Sequence, residues 1–155
     1  MWFRLSRPEY EAGKGEANRR GLRALVDDGQ PTGILAYDGP QPVGWCSVAP
    51  RTQYRRLRTS RVMKPAGPGP LWSIPCLFVA PDHRRKGFSV ALICEAARWA
   101  VAQGAPAVEA FPIVPRKTSV PAVFASQGLL SAYLEAGFRV VKRPSETRAI
   151  VRWPS

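Results

Sequence analysis

The residues best suited to chemistry lie between Trp72 and Ala102. An apolar run over residues 74–79 meets Pro81, and Arg84, Arg85, Lys86 and Gly87 follow directly. The run is too short for a helix and rich in strand formers. Pro81 stops it, because proline fixes φ and lacks a ladder donor. Past Gly87, residues Val90, Leu92, Ile93, Ala96, Ala97, Ala100 and Val101 recur at helical spacing, with Ser89 as the expected cap. A strand that turns through glycine into a helix mouth suits phosphate. The first N–H groups of a helix lack intrahelical partners, and its dipole places positive potential beside them. Gly87 allows close backbone approach, and the three cations before it add charge-assisted contacts. The spacing matches neither GxxxxGK[ST] nor GxGxxG.

Other reactive side chains are few. Glu109 interrupts an otherwise apolar run over 107–114. A carboxylate buried there either takes up a proton readily, its pKa raised by burial, or pairs with one of the chain's 23 Lys and Arg. Cys46, Cys76 and Cys94 are scattered through apolar stretches and read as small core residues, with a nucleophilic Cys76 as the sharper alternative. With one histidine and no CxxC pair, no metal site is expected. His83, beside the basic turn, reads as a surface histidine or as a contact to an outlying phosphate.

Composition narrows the class. A chain of 155 residues, 45% apolar and 22% charged, has the size and balance of one globular domain. No apolar run reaches the roughly 18 residues of a membrane span, and the start lacks a signal peptide's apolar core. A cytoplasmic location is the default expectation. The net charge of +12 favours anionic ligands, whether a phosphorylated cofactor or nucleic acid.

Further elements must position these residues. A helix is expected over 16–28, and a hairpin over 34–37 and 43–48 turns at Asp38-Gly39. The connection 51–69 is long and rich in arginine, and Tyr54, Leu57 and Val62 could anchor one helical turn within it. It reads either as a solvated basic loop or as a lid or substrate-selecting loop. A strand over 107–114, a loop over 115–128, a helix over 129–136 and a strand pair over 139–142 and 148–153 complete the order. Nothing before residue 16 forms a convincing long element, although residues 2–5 resemble the remnant of a strand.

Val79-Ala80-Pro81 followed by Arg84-Arg85-Lys86-Gly87-Phe88-Ser89 resembles the V-x-P and [QR]-x-x-G-x-[GA] pattern of the GNAT superfamily of N-acetyltransferases. Ser89 departs from the last position. Downstream, Tyr133 stands four residues before Gly137-Phe138, as it commonly does in that family. The resemblance implies an α/β (α+β) fold: a mixed, mostly antiparallel sheet flanked by helices, with two middle strands splayed apart and the N-terminal strand short or missing. A single domain over 1–155 is implied, and a homodimer partner is one possible source for the missing strand.

The resemblance also assigns roles. Acetyl-CoA (coenzyme A) would be held by Arg84, Arg85, Lys86, Gly87, Phe88 and Ser89 at its pyrophosphate. Leu77, Phe78 and Val79 would pair with its pantetheine arm. Tyr133 would protonate the departing thiolate, a phenol of pKa about 10 suiting a thiolate of about 8.5. The family's frequent strand glutamate is absent, leaving Glu109 as the substitute base, and its frequent Asn is Ser126 here. The implied activity is acetyl transfer to a primary amine of a small molecule or protein, and the cationic rim favours acidic or neutral acceptors over polyamines. Two other readings stand beside it: a basic nucleic-acid-binding protein, and a GNAT-like domain that binds CoA without turnover.

Overall fold

A computed structural model describes residues 1–115 and 126–154. Two short N-terminal helices, α1 (Arg7–Ala12) and α2 (Glu16–Asp27), precede a hairpin of β1 (Ile34–Asp38) and β2 (Gln41–Pro50). Then come α3 (Arg55–Thr59), β3 (Trp72–Val79), α4 (Phe88–Ala102), β4 (Val108–Ala110), α5 (Leu130–Glu135), β5 (Arg139–Ser145) and β6 (Arg148–Trp153). The six strands form one sheet ordered β1-β2-β3-β4-β6-β5. Every neighbouring pair is antiparallel except β3 and β4. This is the mixed, mostly antiparallel sheet flanked by helices that the resemblance to the GNAT superfamily implies.

Two apolar clusters hold the layers. On one face of the sheet, Leu92, Ile93, Ala96, Ala97 and Ala100 of α4 pack against Cys46, Val48, Ile74, Leu77, Val108 and Ala110. Burying Leu92 and Ile93 contributes about 1.5–3 kcal/mol each. On the other face, Ala49, Tyr54, Leu57, Phe111 and Ile150 pack with Phe3, Met63 and Ala66. Tyr54 and Leu57 therefore do anchor the long basic connection, whereas the third expected anchor, Val62, is exposed.

The middle of the sheet splays. Strands β3 and β4 run side by side only from Trp72 opposite Val108 to Ile74 opposite Ala110. Pro75 follows at once, where the register between β3 and β2 also shifts. The segment leading into α5 then takes the place β3 leaves. Ile113 N–H donates to Gly128 O at 3.0 Å, and Leu130 N–H donates to Ile113 O at 3.0 Å. Leu77 Cδ2 and the Tyr133 ring lie close enough that a side chain on Gly128 would collide with the ring, at 2.8 Å. The wedge is why β4 is shorter than the expected strand over 107–114. The expected loop over 115–128 lies outside the described residues at 116–125.

The N-terminus corrects one expectation and adds a short element. Residues 2–5 form a turn, with Arg4 N–H and Leu5 N–H both donating to Met1 O, and add no strand to the described sheet. Arg4 pins this turn elsewhere, donating to Gln53 Oε1 and Pro31 O at 2.6 Å each. Before residue 16 there is also a helix. In α1, Ser6 and Glu9 make a capping box around Pro8.

Candidate active site

The turn between β3 and α4 has the shape of an anion cradle. Arg85 has φ 61° and Gly87 has φ 85°, so left-handed residues alternate with their neighbours. Such alternation points successive amides into one concavity. Gly87 itself is the residue capping α4, not Ser89, and no side chain caps the helix. Among the described residues, the N–H groups of residues 85–90 have no hydrogen-bond acceptor, whereas Ala91 N–H donates to Gly87 O at 3.1 Å. Six free amides at the mouth of a 15-residue helix, with Arg85 and Lys86 exposed, offer dipole and charge to one anion.

Two side chains fix this turn to the sheet. Arg84 Nε donates to Val79 O at 3.1 Å, so Arg84 braces the end of β3. His83 Nε2 lies 3.1 Å from Asp38 Oδ2 at the end of β1, and its ring meets Phe88 edge-on at 5.7 Å. His83 thus ties the turn to the neighbouring hairpin. Below the turn, Leu77 is buried and Phe78 is half-exposed. From Pro75 onward, β3 keeps a described strand neighbour only on its β2 side, which leaves its other edge without a ladder partner.

Tyr133 lies at the splay. It is fully buried, its ring meets Phe138 edge-on at 5.2 Å, and its hydroxyl donates to Gln127 O at 3.2 Å. Burial raises its pKa well above the ordinary phenol range, helped by Cys46 and Cys76. The phenol of ordinary pKa expected from sequence is therefore corrected by desolvation. Tyr133 keeps its proton at neutral pH and is a weaker acid than a solvated tyrosine.

Glu109 follows the second of the two courses open to it. Its fully buried carboxylate accepts from Arg152 Nη2 at 2.6 Å and Nε at 3.1 Å, and from the Ala66 amide at 3.2 Å. Val108 and Ala110 face α4 with Tyr133, so Glu109 between them faces the opposite side of the sheet. The structure does not bring Glu109 and Tyr133 together. Cys46 is a core residue whose thiol burial pushes above its usual range, and Cys76 is half-buried and shifted the same way for the same reason.

Three further residues join the site without a sequence signal. Gln127, which receives the Tyr133 hydroxyl, accepts through its side chain from Arg148 Nη1 and donates to Met63 Sδ at 3.2 Å. Beside it opens a cleft of about 520 Å³, whose lining includes the apolar Trp2, Phe3 and Met63 and the cationic Arg56 and Arg148. Ser126 also lines it. Arg56 lies over the Trp2 ring at 3.5 Å, and partial burial draws the Arg148 pKa down.

Residues 1–128 match the family model described as the acetyltransferase (GNAT) family. The chain belongs to the GNAT acetyltransferase family. Its fold is similar to that of a GNAT-family acetyltransferase from Desulfovibrio desulfuricans, at 20% identity and TM-score 0.51, over 88% of this chain and 79% of the other. It is also similar to the PaiA N-acetyltransferase of Thermoplasma acidophilum, solved in complex with coenzyme A, at 14% identity and TM-score 0.54, over 97% of this chain and 82% of the other. No curated protein matches the chain. No helix among the described residues is long and apolar enough to cross a membrane.

Proposed function

We propose that the chain moves the acetyl group of acetyl-CoA to the nitrogen of a primary amine, of a small molecule or a protein. The free amides of residues 85–90 carry this reading, together with membership of the family. A GNAT fold neighbour was solved with coenzyme A, and the space beside Gly87 is open: a Cβ built there meets nothing within 4 Å. The pyrophosphate would lie against residues 84–89, and the pantetheine arm would run along the open edge of Leu77, Phe78 and Val79.

The amine lone pair attacks the thioester carbonyl carbon, a C–N bond forms, and the C–S bond breaks with its electron pair left on sulfur. Tyr133, protonated at neutral pH and placed at the splay, gives its proton to that sulfur. The amine's surplus proton passes to solvent, and a proton from solvent restores the Tyr133 hydroxyl, so the cycle closes with one amide and one free thiol formed. Glu109 is engaged by Arg152 and the Ala66 amide, and we assign it the role of bracing the basic connection.

That engagement favours a second reading, a domain that binds CoA without turnover. Calorimetric titration with acetyl-CoA and CoA, followed by thiol release with a panel of amines, separates the two. Binding at tens of micromolar or tighter with amine-dependent thiol release supports transfer, and binding without release supports the second reading. Absence of binding refutes both.

A further inference from the structure

Resting on the acetyl-transfer reading, we infer that the cleft beside Gln127 selects an amine that also carries a carboxylate on an apolar body, as a free amino acid with an aromatic or aliphatic side chain does. Arg56 and Arg148 contribute two guanidinium groups to one cleft. Neither forms an ion pair with a carboxylate among the described residues. Residues 116–125 contain no Asp or Glu to supply one. Arg56 Nε donates to Leu5 O, and its buried Nη2 has no acceptor among the described residues. Arg148 spends Nη1 on two neutral oxygens, Phe111 O and Gln127 Oε1.

Guanidinium groups drawn partly out of water without an anion are costly, and a carboxylate arriving in the cleft relieves that cost. Arginine's planar fork matches a carboxylate in geometry as well as in charge. No described lining side chain is acidic, so a cationic amine without a carboxylate meets repulsion from both guanidinium groups. Trp2, Phe3 and Met63 supply the wall against which an apolar body packs.

The cleft and the splay meet at Gln127. Gln127 is shared: its side chain lines the cleft and its carbonyl holds the Tyr133 hydroxyl. An acceptor anchored by Arg56 and Arg148 therefore approaches the splay from the sheet face opposite α4, while the anion cradle lies at the mouth of α4.

The test compares kcat/KM for phenylalanine, leucine and methionine with kcat/KM for their amides and for phenethylamine, each at saturating acetyl-CoA, with acetyl-CoA binding measured separately by calorimetry. The carboxylates are expected to lead their neutral analogues by about tenfold or more, the range of a charge-assisted hydrogen bond. Arg56→Gln and Arg148→Gln should each collapse that ratio towards one through KM, and Arg148→Lys should restore part of it. The ratio is internal to each variant, so loss of folded protein does not mimic the effect. Equal or better use of the neutral amines, or no use of any carboxylate while acetyl-CoA still binds, overturns this inference and leaves the transfer reading standing. Absence of acetyl-CoA binding removes both.

Discussion

Substitutions at Gly87 separate backbone conformation from charge, because a Cβ there meets nothing within 4 Å yet φ is 85°. Gly87→Ala thus costs conformation alone, about 1–2 kcal/mol for an L-residue held left-handed. For a chain of this size that is a fall in Tm of about 2–8 °C. Gly87→Asn should cost less, since asparagine visits this region more readily. Gly87→Glu adds a negative charge at the mouth of α4. At about 5 Å and an effective dielectric of about 20, one unit charge repels another by about 3 kcal/mol, and screening reduces this to about 1–3 kcal/mol. Acetyl-CoA affinity should then fall about five- to 150-fold beyond any loss in Gly87→Ala. Calorimetric titration of the three variants, with thermal melts alongside, measures both effects. A folded Gly87→Glu variant that binds acetyl-CoA within twofold of the unsubstituted chain would refute the assignment of the diphosphate to this turn.

Tyr133→Phe should lower turnover by about 10²-fold or more while leaving acetyl-CoA affinity intact, and full activity would remove Tyr133 as the acid. The same residue has a signature in stability. Its folded pKa is raised, so its contribution is complete below the unfolded value of about 10 and is lost as pH climbs from there towards the folded value. Urea melts across that window should show stability declining with pH, and less steeply in Tyr133→Phe. Glu109→Gln leaves Arg152 without its carboxylate, and because Arg152 is part-exposed the cost should be about 1–3 kcal/mol, a fall in Tm of roughly 2–12 °C. Lost turnover with an unchanged melt would instead return Glu109 to the role of base.

Much of this architecture can be read from local pattern. The alternation around Asp38-Gly39 and the apolar stripe of α4 mark their elements because both faces of each are decided by neighbours within a few residues. The helix α1 is too short to show an apolar stripe, and its signal lies only in Ser6-Arg7-Pro8-Glu9, where the structure forms a capping box beside an early proline. The short β4 is not legible, because it ends where the segment from Gly128 to Leu130 inserts beside Ile113, a contact made from outside the strand. The same division runs through the site. The turn at Gly87 is local and shows itself in V-x-P and the glycine. Gln127, by contrast, joins the site through Tyr133, Arg148 and Met63, and the last of these lies 64 residues away. The ion pair of Glu109 with Arg152 likewise spans 43 residues, so sequence alone left its partner open.

The free amides at the mouth of α4 are the central claim, and their own signals test it most directly. In a titration of ¹⁵N-labelled chain with acetyl-CoA, the amide resonances of residues 85–90 should move the most, and their hydrogen exchange should slow on binding. Saturable binding that leaves those six amides unmoved and unprotected would contradict the account.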